Sequence, residues 1–279
     1  MAKSNPITFI SDEVSPSLTE AIDFAQRQGM TQLELRSVGG VNLMDLDLEQ
    51  IREIATTIHQ AGLTVANLAS PLLKWLPPGK VALMEEVNFH GYQLETDQVS
   101  EVFAQAFAIA DILQTPSLRI FSYLKYADFQ FADLEADMTA LLSLAEQHDK
   151  TLLIENEPVC NLDSLPQVAQ FLADWNHPRL RALLDLGNLY QSGYLVTDAE
   201  LLQVAPYVKY VHLKDFSTPQ GTYVPLGEGS VQYQVHLKVL KPWLQEASIP
   251  FSMETHVQKS PMAATEASIR HLNALLAAL

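Results

Sequence analysis

Four residues able to bind a metal stand at the ends of four apolar runs in the second half of the chain. Glu155 lies in TLLIENEP, Asp185 in LRALLDLGN, His212 in VKYVHLKD and Glu254 in PFSMETH. Three carboxylates and one imidazole form an oxygen-rich set with a single nitrogen, which suits Mn²⁺, Mg²⁺ or Co²⁺ better than a closed zinc site. One divalent ion per chain is expected, Mn²⁺ foremost, with Zn²⁺ as a further alternative. Residues so distant in sequence meet only in a fold that gathers strand ends. The (β/α)₈ barrel does so, because the C-terminal ends of its strands converge on one face.

The elements needed to place them there are legible. Short β-rich runs lie near Ile7–Ser11, Gln32–Arg36, Thr64–Ala69, Ser117–Phe121, Thr151–Glu155, Arg181–Asp185, Val208–His212 and Pro250–Glu254. Helical patterns fall between and after them, near Ser17–Gln28, Leu48–Ala61, Gln98–Leu113, Phe131–Gln147, Leu165–Asp174, Asp198–Val204, Tyr233–Gln245 and Ala263–Ala278. Eight such alternations argue for parallel strands with crossover helices, in a barrel or a doubly wound sheet. Gly29 and Gly62 follow the first two helical patterns, where a left-handed capping residue is expected. The long irregular stretch from Ser70 to Glu95 would follow the third strand on the catalytic face, and it reads as a lid.

Strand alternation tests whether the four candidates share an inward face. Ser252, Glu254 and His256 share one phase of the last strand, while Phe251, Met253 and Thr255 share the other. Likewise Leu153 goes with Glu155, Leu183 with Asp185 and Tyr210 with His212, so each of these three sits above a larger inward residue. Glu157 is in phase with Glu155 and competes with it. Glu155 is preferred because it is nearer the rigid strand. Any one of these acids alone would more simply be a solvated or helix-capping carboxylate; four correctly phased strand ends weigh against that.

With 279 residues, 48% apolar and 18% charged, the chain has enough material for one large domain spanning 1–279 with one inserted loop. Asp and Glu number 33 against 17 Lys and Arg, and a net charge of −16 repels a phosphate backbone, so nucleic acid is not an expected partner. The single Cys160 offers no intrachain disulfide, the N-terminus lacks a signal-peptide core, and no apolar run reaches bilayer length. A soluble, cytoplasmic protein with no membrane partner is the expectation, and a homo-oligomer remains open.

Taken with IEN, LDLGN, VHLKD, the Gly227-Glu228-Gly229 turn and the terminal ETH, the order Glu, Asp, His, Glu on the fifth to eighth strands resembles the xylose-isomerase-like barrel superfamily of sugar isomerases and epimerases. The resemblance covers nearly the whole chain. It implies that Glu155, Asp185, His212 and Glu254 bind one divalent metal. In the ketose 3-epimerase branch it further implies that Glu155 and Glu254 move the proton through a cis-enediolate. This chain departs from those epimerases at Asn188, where they often place a histidine. It also lacks the further histidines of the DNA-repair branch, reading TYVPLGEGS after His212.

Further substrate contacts are expected from Glu34 and Arg36 on the second strand, which could instead form a buried ion pair, and from Asn188, Lys214, Asp215, Glu228 and His256. Trp75 could cover a sugar face or serve as a packing anchor. The GEG turn is not a dinucleotide fingerprint, since the third glycine is missing. The resulting reading is a metal-dependent isomerase or epimerase of a small sugar or keto-polyol. Its rivals are a dehydratase of a cyclic keto-polyol, as inosose-type enzymes suggest, and a sugar-binding barrel without turnover.

Overall fold

The computed structural model describes residues 5–84 and 98–279. Eight parallel strands follow one another round a ring in chain order: β1 (Ile7–Phe9), β2 (Gln32–Leu35), β3 (Thr64–Leu72), β4 (Ser117–Ile120), β5 (Thr151–Glu155), β6 (Leu180–Asp185), β7 (Val208–Leu213) and β8 (Phe251–Met253). β8 pairs back onto β1, with Thr8 opposite Ser252, and a bridge between Ile10 and Glu34 joins β1 to β2. The expected (β/α)₈ barrel is the observed fold.

Helices between the strands cover the outside, and their sequences say why. In Leu48–Gln60 the buried residues Ile51, Ile54, Ala55 and Ile58 recur at helical spacing and face the sheet. Asp47 caps the helix start, forming a reciprocal box with Gln50, and such a cap contributes about 1 kcal/mol. Gly62, at φ +76°, lets the chain leave the far end in a left-handed turn. The main apolar core lies between strands and helices and includes Leu152, Ile154, Leu184 and Val211. The alternate residues point into the barrel, where Ala66, Leu153, Leu183 and Tyr210 form a separate small cluster.

Three register shifts interrupt the ladder among the described residues, and two of them adjust this interior. β2 and β3 pair Leu33 with Val65 and then Glu34 with Asn67, so Ala66 is skipped; both Ala66 and Asn67 consequently reach the interior. Between β6 and β7, Lys209 is skipped in the same way and stays exposed, which brings Tyr210 opposite Leu183.

The structure also adds elements. Short helices cover Ser11–Val14 and Leu186–Gln191, and two small hairpins, Ser37–Val38 with Val41–Asn42 and Asp215–Ser217 with Thr222–Val224, follow β2 and β7. β3 continues to Leu72, so Ser70 and Pro71 belong to the strand and not to the irregular stretch expected to begin there. Trp75 is buried and stacks on Phe103 at 6.3 Å, as a packing anchor. The later part of the expected lid, 85–95, lies outside the described residues. Among the described residues, no helix is long and apolar enough to cross a membrane.

Candidate metal centre

Glu155, Asp185, His212 and Glu254 project from the ends of β5 to β8 and meet at the C-terminal mouth of the barrel. All four are buried, and a ligand atom from each lies within 4.8 Å of the others. Their free atoms are distributed in a telling way. His212 Nδ1 has no hydrogen-bond partner and faces Glu155 Oε1 at 3.5 Å and Glu254 Oε2 at 3.3 Å. On the other side of the ring, His212 Nε2 lies 3.0 Å from Glu34 Oε1. Asp185 Oδ1 accepts from the Asn188 backbone N–H at 2.8 Å, whereas Asp185 Oδ2 is buried and faces the Lys214 ammonium at 3.0 Å. Glu155 Oε2 accepts from Arg119 at 3.2 Å and Glu254 Oε1 from Arg36 at 3.1 Å. Each carboxylate thus has one oxygen anchored elsewhere and one turned to the common centre, where Glu155 Oε1 also accepts from Asn188 Nδ2 at 3.3 Å and the Lys214 ammonium stands 2.9 Å from Glu254 Oε2 and 3.0 Å from Asp185 Oδ2. Buried oxygen and nitrogen atoms gathered in this way fit a divalent cation, because three adjacent carboxylates out of water repel one another unless cations offset them.

A layer beneath fixes the imidazole. Glu34 is fully buried and accepts from Asn67 Nδ2 at 2.8 Å and Tyr210 Oη at 3.1 Å while facing His212 Nε2. Ser117 Oγ in turn donates to Asn67 at 2.8 Å. A carboxylate behind a histidine sets its tautomer and orientation, leaving Nδ1 for the centre.

The four groups shift one another's ionisation. Burial opposes the charged form of Glu155, but Arg119 and His212 outweigh it and hold its pKa at about 2. Glu254 is likewise pulled well below the usual range by Lys214, His256 and His212 against the cost of burial. Burial dominates at Asp185, raising it to about 6 although Lys214 acts the other way. For His212, burial is outweighed by Glu34, Glu254 and Glu155, so its pKa is raised well above the ordinary value.

The remaining expected contacts divide. His256 and Lys214 line a cavity beside Glu254 together with Arg36, Asn42 and Arg119, and a wider recess of about 540 Å³ adjoins at Arg36 and His256. His256 holds a left-handed backbone at φ +54° and is gripped by Glu13, which accepts from its backbone N–H at 2.8 Å and faces its Nδ1 at 3.0 Å. Such a conformation costs on the order of 1 kcal/mol and persists only where surroundings impose it.

Glu34 does not line the cavity, and neither does it pair with Arg36. It lies under His212, while Arg36 joins Asp12, Glu13 and Glu254. Asn188 is buried and turned toward Glu155 and the Asn156 carbonyl. Glu157 pairs with Lys74 at 2.9 Å, outside the group of four. Glu228 is exposed on its turn.

Asp215 organises a loop: its carboxylate accepts from the backbone N–H groups of Phe216, Gly227, Gly229 and Val231, at 2.9 to 3.1 Å. Gly229 is required beside it, since a Cβ there would stand 2.1 Å from Asp215 Oδ1. Asp215→Ala is therefore expected to destabilise the protein by about 2–4 kcal/mol, through backbone donors left unpaired, and thermal unfolding measures it. A wild-type midpoint would show that Asp215 does not organise the loop.

Gly187 of the LDLGN motif plays a comparable part. A Cβ there would meet Lys214 Cγ at 2.4 Å and the Lys214 carbonyl at 2.6 Å. Gly187→Ala should cost about 1–3 kcal/mol by overpacking, with an unfolding midpoint lowered accordingly. An unchanged midpoint would mean that the Lys214 backbone can move freely here.

The sequence reading passed over Asp12 and Glu13, which a strand-end search extended to β1 would have found in ISDEV. Arg119 was left out of the expected site. Its phase with Ser117 on β4 is the signal that it points inward. Asn67 was hidden because the bulge at Ala66 breaks simple alternation.

The sequence matches the family described as xylose isomerase-like TIM barrel over residues 16–275. Among curated proteins, 3-dehydroshikimate dehydratase of Bacillus anthracis is 23% identical over 238 residues, which span 78% of this chain and 79% of that protein. The structure of the IOLI protein with a bound zinc atom aligns at a TM-score of 0.74 and 14% identity, over 97% of each chain. D-allulose 3-epimerase from Methylomonas sp. aligns at 0.71 and 16% identity, over 99% of this chain and 100% of that one. At such identities the structural likenesses speak for the fold.

Proposed function

The chain belongs to the xylose isomerase-like TIM barrel family, and from that premise we propose a divalent-metal-dependent isomerase or epimerase of a small sugar or keto-polyol, acting through a cis-enediolate. The observation that carries the reading is the pair Glu155 and Glu254 flanking His212 Nδ1, each with its second oxygen held by a guanidinium. Mn²⁺ is the foremost choice for the oxygen-rich set of Glu155, Asp185, His212 and Glu254. Such an ion supplies Lewis acidity, polarising a ketone and stabilising the charge that develops when a neighbouring carbon loses its proton.

The rest falls to the chain's own residues. Both glutamates are kept ionised, so either can accept a proton at neutral pH, and the two stand on different strands of the mouth. Glu155 takes or returns the proton on one side of the substrate carbon and Glu254 on the other, with Arg119 and Arg36 fixing their positions. Glu34 holds His212, and Asn188 steadies Glu155. Lys214 and His256 in the cavity wall are the residues best placed to meet substrate oxygens.

Charge pairing supports an unphosphorylated substrate. Each cation lining the cavity faces a carboxylate: Arg36 faces Glu13, Lys74 faces Glu157, Arg119 faces Glu155 and Lys214 faces Glu254. A phosphate would have to break one of these pairs, three of which are buried.

The likeness to a 3-dehydroshikimate dehydratase favours a second reading, elimination of water from a cyclic keto-polyol. Both reactions begin with the same proton abstraction. A panel of free ketoses, aldoses, inososes and 3-dehydroshikimate with Mn²⁺, read by mass and chromatography, separates them: an isomer of unchanged mass supports epimerisation or isomerisation, and loss of water supports the dehydratase. Metal-loaded protein that binds a panel member and returns all of them unchanged would leave a binding barrel.

A further inference from the structure

Lys214 carries a buried ammonium whose position is more specific than that of a general substrate contact. Its Nζ lies 2.9 Å from Glu254 Oε2 and 3.0 Å from Asp185 Oδ2. These are the two oxygens their carboxylates keep for the centre, since Glu254 Oε1 is taken by Arg36 and Asp185 Oδ1 by the Asn188 backbone. Glu254 Oε2 is also the atom facing His212 Nδ1. The stem of Lys214 fills the space left by the missing Cβ of Gly187, so its lower part is held in place. On the cavity side the ammonium lies 3.5 Å from His256 Nε2.

We propose that Lys214 is a resident counter-ion that competes with the divalent metal for Asp185 and Glu254, and so lowers the affinity of the centre for its metal. The inference rests on the metal-centre reading given above. Its physical basis is simple: an ammonium and a divalent cation drawn to the same two buried oxygens repel each other, and the low dielectric of the site strengthens that repulsion. The ion can enter fully only as the ammonium yields those oxygens. The flexible Lys214 end can then turn toward His256 and the cavity, where a substrate oxygen is its natural partner. The ammonium also keeps the carboxylates neutralised when no metal is bound, which accounts for a lysine being tolerated in full burial.

A residue that merely supports metal ligands weakens metal binding by 10- to 100-fold when replaced. A competing counter-ion has the opposite sign. Mn²⁺ titrations of the full chain, freed of metal by chelator and followed by calorimetry or by the free Mn²⁺ resonance signal, decide between them. Lys214→Met keeps the length of the stem and removes the charge, and Lys214→Gln does the same with a polar end. Either is expected to bind Mn²⁺ at least tenfold more tightly than wild type, while Lys214→Arg, which keeps the charge, stays within about threefold. Equal or weaker binding by whichever neutral variants fold would overturn the competition while leaving the metal centre standing. If wild type and the neutral variants all fail to bind Mn²⁺, the metal centre itself is wrong and the competition goes with it.

Discussion

Asp185→Ala and His212→Ala are expected to abolish most of the metal content of the protein and nearly all of its activity. Each removes a side chain with an atom turned to the centre, Asp185 Oδ2 or His212 Nδ1. Neither loss can be covered by a neighbour. Glu157, two residues past the end of β5, is committed to Lys74. Lewis-acid stabilisation of developing charge is worth several kcal/mol, so turnover should fall on the order of a thousandfold. Elemental analysis of protein purified without chelator, alongside assays on the sugar panel, measures both effects. Glu157→Gln supplies the control: it should keep the metal. Full metal content in the Asp185 and His212 variants would remove the site, and loss in the Glu157 variant would move it.

The four ligand candidates were legible in the sequence because strand ends carry two signals at once. An apolar run such as LRALLD marks the strand, and the acid that closes it marks the mouth of a barrel. Period-two phasing then fixes which way the acid points, and the small interior cluster of Ala66, Leu153, Leu183 and Tyr210 bears that phasing out. What the sequence did not yield was the network around these residues. Glu34 on QLEL looked like a substrate contact because its phase is inward. Phase says nothing of depth, and Glu34 lies one layer down, under His212. Asn67 was lost to a bulge, which shifts alternation by one residue. The role of Asp215 depended on a loop folding back onto it, twelve to sixteen residues later in the chain, and that closure is set by backbone donors that carry no side-chain signature. The partnership of Arg36 with Glu254, across most of the chain length, exists only because the barrel closes β8 onto β1.

Closure also places the two carboxylates on which the proposed chemistry turns, and it leads to the sharpest chemical expectation. If Glu155 and Glu254 exchange the proton on the carbon next to a ketone, turnover in heavy water must place deuterium at that carbon in the product. Recovered substrate can carry it as well. The guanidinium groups of Arg119 and Arg36 hold the two carboxylates in place, so the exchange should be confined to one carbon. A hydride shift between carbons would instead carry the original hydrogen across and leave the product essentially unlabelled. Glu155→Gln and Glu254→Gln keep the shape of the site but remove the base, and each should lower turnover by about 10²–10⁴-fold even where some metal is retained. The two variants need not behave alike. If each glutamate serves one face of the substrate, a variant lacking one base can still wash deuterium into one epimer while failing to produce the other. Such split behaviour would assign a face to each carboxylate, whereas label-free product from an active enzyme would defeat the enediolate route and leave the metal centre untouched.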